Sequence, residues 1–138
     1  MEMREILFRG KNRYSGEWFE GYLEYFTTTS NRLVCYISVW GKQMHEVYPD
    51  TVGQYTGLKD RNGRRIFEGD IVESEFTKRP YLVCFGKYTY TNEYGEEESA
   101  CGWYNEEKGG YETAFGSPDA WATVIGNIHD NPELLEET

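Results

Sequence analysis

His45 and His129 are the only imidazoles in this 138-residue chain, and each is followed by a carboxylate, Glu46 and Asp130. A histidine beside an acid is the usual start of general acid–base chemistry. Neighbouring residues of a strand point to opposite faces, however, so neither pair forms a dyad on its own. His129 reads as an ordinary surface histidine near the C-terminus. No pair of Asp or Glu is singled out for hydrolysis of the glycosidase kind. Asp60-x-Asn62, with Glu68 beyond it, opens like a calcium loop. Arg64 and Arg65 then stand where such a loop needs another oxygen ligand and a glycine, so a turn is the better reading. Two histidines and the scattered Cys35, Cys84 and Cys101 give no zinc spacing. No glycine-rich phosphate cradle of the GxGxxG or GxxxxGK[ST] kind occurs. The expectation is a chain with no metal, no cofactor and no catalytic group, and hence not an enzyme.

Groups that could bind are easier to find. Lys59, Arg61, Arg64 and Arg65 surround the turn Asn62-Gly63. They form either a solvated hairpin tip or a contact for an acidic partner, including the acidic half of a second copy. Twelve Tyr, seven Phe and four Trp either fill a small β-barrel or stack on bases or sugars from the surface. Charge is divided unevenly. Residues 1–72 hold ten Lys/Arg and ten Asp/Glu, whereas residues 73–138 hold four and fourteen, so the whole net charge of −10 falls in the second half. That half repels phosphates, which disfavours binding to duplex nucleic acid.

The elements that must position these groups are short strands. Abundant aromatics suit a pleated surface, and fifteen glycines supply turns. Ile6 to Phe8 reads as a strand ending at Arg9-Gly10-Lys11, followed by a hairpin loop at residues 12–16. Strands follow at Trp18 to Phe26, Leu33 to Trp40 and Met44 to Tyr48, with a polar loop at 27–32 and a turn at Gly41-Lys42-Gln43. Pro49-Asp50-Thr51 breaks the pattern. Asn62-Gly63 is the best turn signal in the chain, and Gly69-Asp70 is a tight corner where Asp70 can accept backbone N–H bonds. Ile71-Val72 starts another strand, and Tyr81 to Phe85 continues the sheet.

Residues 86–99 read as a hairpin with a charged tip, Glu96-Glu97-Glu98, and as the least structured piece. Weaker strands at 101–105 and 111–115 flank Gly109-Gly110, and Trp121 to Ile128 closes the sheet. Asn131 is placed to cap one helical turn that begins at Pro132. No stretch carries a helical period over ten residues, so the fold class is all-β. The length suits one domain over 1–138, with an N-terminal β region to about residue 52 and a barrel core over about 53–130. No signal peptide or membrane-spanning run is evident. With three unpaired thiols, the expected location is the cytoplasm.

Three blocks resemble one family. They are Met3 to Lys11; Gln54-Tyr55-Thr56-Gly57-Leu58-Lys59-Asp60 with Asn62-Gly63 and Ile66 to Val72; and Val124 to Leu135. In this order they are similar to the YopX family of phage and prophage proteins, with 73–123 matching only loosely. Tyr48 departs from the Asp that relatives often carry there. The resemblance implies an SH3-like barrel, a phage or prophage source and action in a bacterial cytoplasm, and it supplies no catalytic residue. Two functions remain open from the sequence. One is an accessory module that binds a protein or forms homo-oligomers. The other is a nucleic-acid-related role, by single-strand binding or by acidic mimicry of DNA.

Overall fold

A computed structural model describes residues 5–39, 43–107 and 111–136. The turn expected at Gly41-Lys42, the strand end at Trp40 and the pair Gly109-Gly110 lie outside these residues. The protein is mainly β, with two antiparallel sheets, and the helix among the described residues is confined to single 310 turns. The chain divides into two compact units after Gly57, inside a strand, a few residues beyond the boundary the sequence suggests near residue 52.

The first unit holds β1 (Phe8–Lys11), β2 (Trp18–Thr27), β3 (Leu33–Ser38), β4 (Met44–Val47) and the start of β5 (Gly53–Lys59). Their order across the sheet is β4-β3-β2-β1-β5, and a 310 turn at Pro49–Thr51 links β4 to β5. β1 ends at Arg9-Gly10-Lys11, as the sequence suggests, but begins at Phe8 rather than Ile6. Arg9 is buried, and its guanidinium lies 5.0 Å above the Trp18 ring.

β2 serves two partners. Residues 18–21 pair with β1 and residues 22–27 pair with β3, so the strand turns a corner at Gly21. A side chain there would run into the Ser38 carbonyl, so the close approach needs glycine. An isolated bridge between Asn12 and Val47 brings the end of β4 back to the chain that follows β1. Cys35, Ile37 and Val47 are buried inside the curl, against Phe8, Phe19, Leu23 and Val52. Burial raises the Cys35 thiol above its ordinary pKa.

The second unit contains the end of β5, β6 (Arg65–Phe67), β7 (Asp70–Ser74), β8 (Pro80–Thr91), β9 (Glu97–Glu107), β10 (Tyr111–Ala114) and β11 (Ala122–Asn127). The five-stranded sheet runs β10-β9-β8-β7-β11. Its core is Ile66, Val72, Val83, Phe115, Ala122 and Val124, with Tyr81, Trp103 and Trp121 packed around them. A 310 turn at Pro132–Leu135 follows β11, but Asn131 does not cap it. Its side-chain oxygen accepts the Asn127 N–H at 3.2 Å, so the residue ties the chain back to β11 instead.

Residues 86–99 are not the loose piece of the chain. β8 continues to Thr91 and β9 begins at Glu97, in unbroken register from Tyr81↔Glu107 to Thr91↔Glu97. At the tip, Asn92 Oδ1 accepts the N–H groups of Tyr94 and Glu96, both at 2.9 Å. A side chain therefore satisfies the turn that the acidic run alone would leave open.

Candidate functional site

The basic turn is built around Asp60. The Gly63 N–H donates to the Asp60 carbonyl at 3.0 Å, and the Asp60 N–H donates to the Arg64 carbonyl at 2.9 Å. Only Gly63 has a positive φ, +81°, while Asn62 does not. This is the three-residue hairpin loop with a glycine bulge rather than a two-residue turn. Asp60 itself is buried. Its Oδ1 accepts the N–H groups of Asn62 and Arg64, and its Oδ2 accepts the Val124 N–H on β11. These three bonds to backbone N–H groups compensate the burial of the carboxylate.

Residues 61–65 are all exposed, as expected of a hairpin tip, but the turn is anchored at its base. The Arg61 N–H also donates to the Ala122 carbonyl, so the loop backbone is tied along β11. Lys59, Arg61, Arg64 and Arg65 nevertheless have exposed side chains, and Arg61 pairs with Glu75 at 3.0 Å. At the second corner Gly69 has φ +91°, and Asp70 Oδ2 accepts the Phe67 N–H at 2.8 Å. Asp70 is buried beside core residues and is no part of a surface. Lys59, Arg61, Arg64 and Arg65 thus share one exposed hairpin, whereas Gly69 and Asp70 shape the fold beneath it.

The histidines belong to different units. His129 is exposed at the end of the second unit. His45, on β4 of the first unit, stacks on Phe19 and lines a cavity. Among the described residues, no group of three or more His, Cys, Asp or Glu is placed to hold a metal ion. No helix among them is long and apolar enough to cross a membrane.

The most distinctive surface is the outer part of the β8–β9 hairpin. Beyond Val83 and Asn105, both buried, none of residues 84–104 is buried. Eight residues of β8 reach past the core, about 25 Å at ~3.3 Å per residue. Strand alternation gives this arm two faces. One carries Tyr88, Tyr90 and Tyr104 over the small residues Gly86, Gly102 and Ala100. The Tyr88 and Tyr104 rings stack with centroids 5.2 Å apart, and Tyr90 follows at 6.1 Å from Tyr88. The other face carries Phe85 edge-on to Trp103 at 4.9 Å.

The tyrosine face ends at acid. The Tyr90 hydroxyl donates to Glu98 at 2.7 Å, and the Asn92 amide donates to the same carboxylate at 2.9 Å. The bond from Tyr90, helped by Asn92, holds Glu98 below the usual carboxylate range. The same bond and the nearby charge push the Tyr90 phenol above its usual value. Glu93, Glu96 and Glu97 are exposed around this pair. In the sequence the Tyr-Thr alternation at 88–91 and the run Glu96-Glu97-Glu98 signal this arm. Tyr104 comes to it only through the register of β9.

Two antiparallel sheets and a long hairpin, whose Trp103 packs on the core while its tyrosines and glutamates lie outside it, define an all-β protein. Residues 7–136 match the family described as YopX protein, and the chain belongs to that family. No curated protein matches it. A solved structure, that of protein EF1440 from Enterococcus faecalis, is similar to the chain with a TM-score of 0.53. The two share 23% identity over 97% of this chain and 100% of that one, a likeness of fold.

Proposed function

We propose that this YopX-family chain is a non-enzymatic accessory protein of phage or prophage origin, acting in the bacterial cytoplasm, that grips a basic protein through the β8–β9 arm. One observation carries the reading: a ladder of three tyrosines that no core requires, leading to a cluster of four glutamates. Tyrosine faces accept guanidinium groups by cation–π contact, and carboxylates bind the same groups through paired hydrogen bonds. Aromatic residues are also the usual anchors of protein interfaces. An arginine-bearing segment satisfies both halves of the arm at once.

Charge favours such a partner over a second copy. Each chain carries −10, so two chains repel, whereas a basic protein is attracted from a distance. The scaffold we propose for the arm is the SH3-like barrel core over about residues 53–130 that the family resemblance implies, and its strands β6 to β11 carry the arm. Affinity capture from bacterial lysate tests the reading, comparing the wild-type chain with Tyr88→Ser/Tyr90→Ser and with Glu93→Gln/Glu96→Gln/Glu97→Gln. The expected result is a basic protein, held at low salt and lost in both variants. A captured set unchanged by both variants refutes it. A basic partner that also binds DNA, and is displaced from DNA by this chain, would extend the reading to DNA mimicry.

A further inference from the structure

The first unit contains a cavity of about 490 Å³ that the arm does not involve, lined among the described residues by Phe19, Val39, Gln43 and His45. That volume lies within the range of small-ligand sites. Phe19 and His45 come from β2 and β4, strands separated by β3, and the curl of the sheet brings them together. Their rings are parallel to within 8°, with centroids 3.5 Å apart, so the wall is a pair of stacked π systems.

The orientation of the imidazole follows from its neighbour. Asn12 Oδ1 accepts the backbone N–H groups of Tyr14 and Ser15, at 2.8 and 2.9 Å. The Asn12 amide nitrogen is therefore the atom that faces His45 Nδ1, at 3.2 Å, and it can only donate. Nδ1 is the acceptor, and the ring proton sits on Nε2. The cavity thus combines an aromatic wall of fixed orientation and the Gln43 amide, which both donates and accepts. No charged residue is among its described lining residues. The first unit is also close to neutral: residues 1–57 hold six Lys/Arg and seven Asp/Glu.

We propose that this cavity binds an unpaired nucleobase. A base is planar, so it continues the Phe19–His45 stack, and stacking on aromatics tolerates every base. Its edge carries adjacent acceptors and donors, which match the Gln43 amide beside the stack. Gln is a recognised reader of the adenine edge for the same reason. The shared chemistry is the base itself, supplied either as a free nucleoside or within single-stranded nucleic acid. The near-neutral first unit does not repel a phosphate backbone as the acidic second unit does.

Titrating the full chain with adenosine, and separately with a short oligodeoxyadenylate, under NMR observation tests the site. The expected result is movement of the Phe19, Gln43 and His45 signals, weakened about tenfold or more in His45→Ala. Gln43→Ala, at an exposed position, decides the matter if His45→Ala fails to fold. Much tighter binding of the strand than of adenosine assigns the base to single-stranded nucleic acid, and equal binding assigns a free nucleoside. Nitrogen-15 spectra of His45 should show the proton on Nε2. No movement at millimolar adenosine or saturating strand, or binding unchanged in both variants, overturns the proposal.

Discussion

Replacing Asp60 by alanine should be among the most damaging single changes in the second unit. The carboxylate is 3% exposed and accepts three backbone N–H groups, from Asn62 and Arg64 at 2.9 Å and from Val124 at 3.0 Å. The Val124 bond is buried and spans 64 residues of sequence. It sits where the register of β11 against β7 shifts, so β11 has no spare partner to offer. Leaving that N–H orphaned costs about 1–3 kcal/mol. Water can reach the two turn bonds, so each is worth about 0.5–1 kcal/mol. Asp60→Ala should therefore lose about 2–5 kcal/mol, a large part of a typical stability of about 5–15 kcal/mol.

Asp60→Asn separates these contributions. The amide oxygen can keep both turn bonds, but the amide nitrogen then faces the Val124 N–H, donor against donor. The loss should be about 1–3 kcal/mol, close to the Val124 contribution alone. Urea unfolding gives both values as shifts of the midpoint at unchanged slope. Asp119→Ala, at an exposed position in the 310 turn before β11, serves as control and should stay within about 0.5 kcal/mol of wild type. An Asp60→Asn protein as stable as wild type would refute the reasoning, since the buried link to β11 could then contribute nothing.

Other substitutions test the remaining parts. Gly69→Val should cost about 1–3 kcal/mol, because φ is +91° and the residue cannot relax without breaking its bonds to Val83 and Ile128; an unchanged melting temperature counts against it. Gly21→Ala should destabilise the first unit by about 1–3 kcal/mol or more, as the added methyl meets the Ser38 carbonyl; amide signals of β2 and β3 that stay unshifted would contradict this. Glu98→Gln should bring the Tyr90 phenol back down towards its ordinary value of 10.0, read by ultraviolet difference titration with Tyr90→Phe to identify the signal. The order contributed by the Tyr90–Glu98 contact should be complete between the ordinary carboxylate and phenol values. It is lost as pH falls through the lowered Glu98 value or rises through the raised Tyr90 value, and tip amide shifts independent of pH across both limits would exclude it.

What the sequence discloses of this fold is what local chemistry decides. The strand-rich composition, the hairpin at Asn62-Gly63 and the corner at Gly69-Asp70 need only near neighbours, and so they can be read from a few residues at a time. Contacts between distant residues are hidden. The burial of Arg9 shows only once Trp18 lies beneath its guanidinium, and Asn131 looks like a helix cap until Asn127 claims its oxygen. Asp60 suggests a calcium ligand because Val124 is 64 residues away. The Phe19–His45 stack has no sequence signal, since it depends on β2 turning its corner at Gly21.

The arm lies between these cases. Its alternation is visible, but its acidic run suggests looseness, because the tyrosine stack across the strands and the Asn92 turn appear only once the register is known. This difference bears on function. The aromatics around Val83 and Phe115 meet a packing requirement, so their presence says nothing about binding. Residues 84–104 include no buried position, and folding of the core asks nothing of Tyr88, Tyr90 or the glutamates beyond them. A pattern that packing does not demand needs another cause, and contact with a partner supplies one.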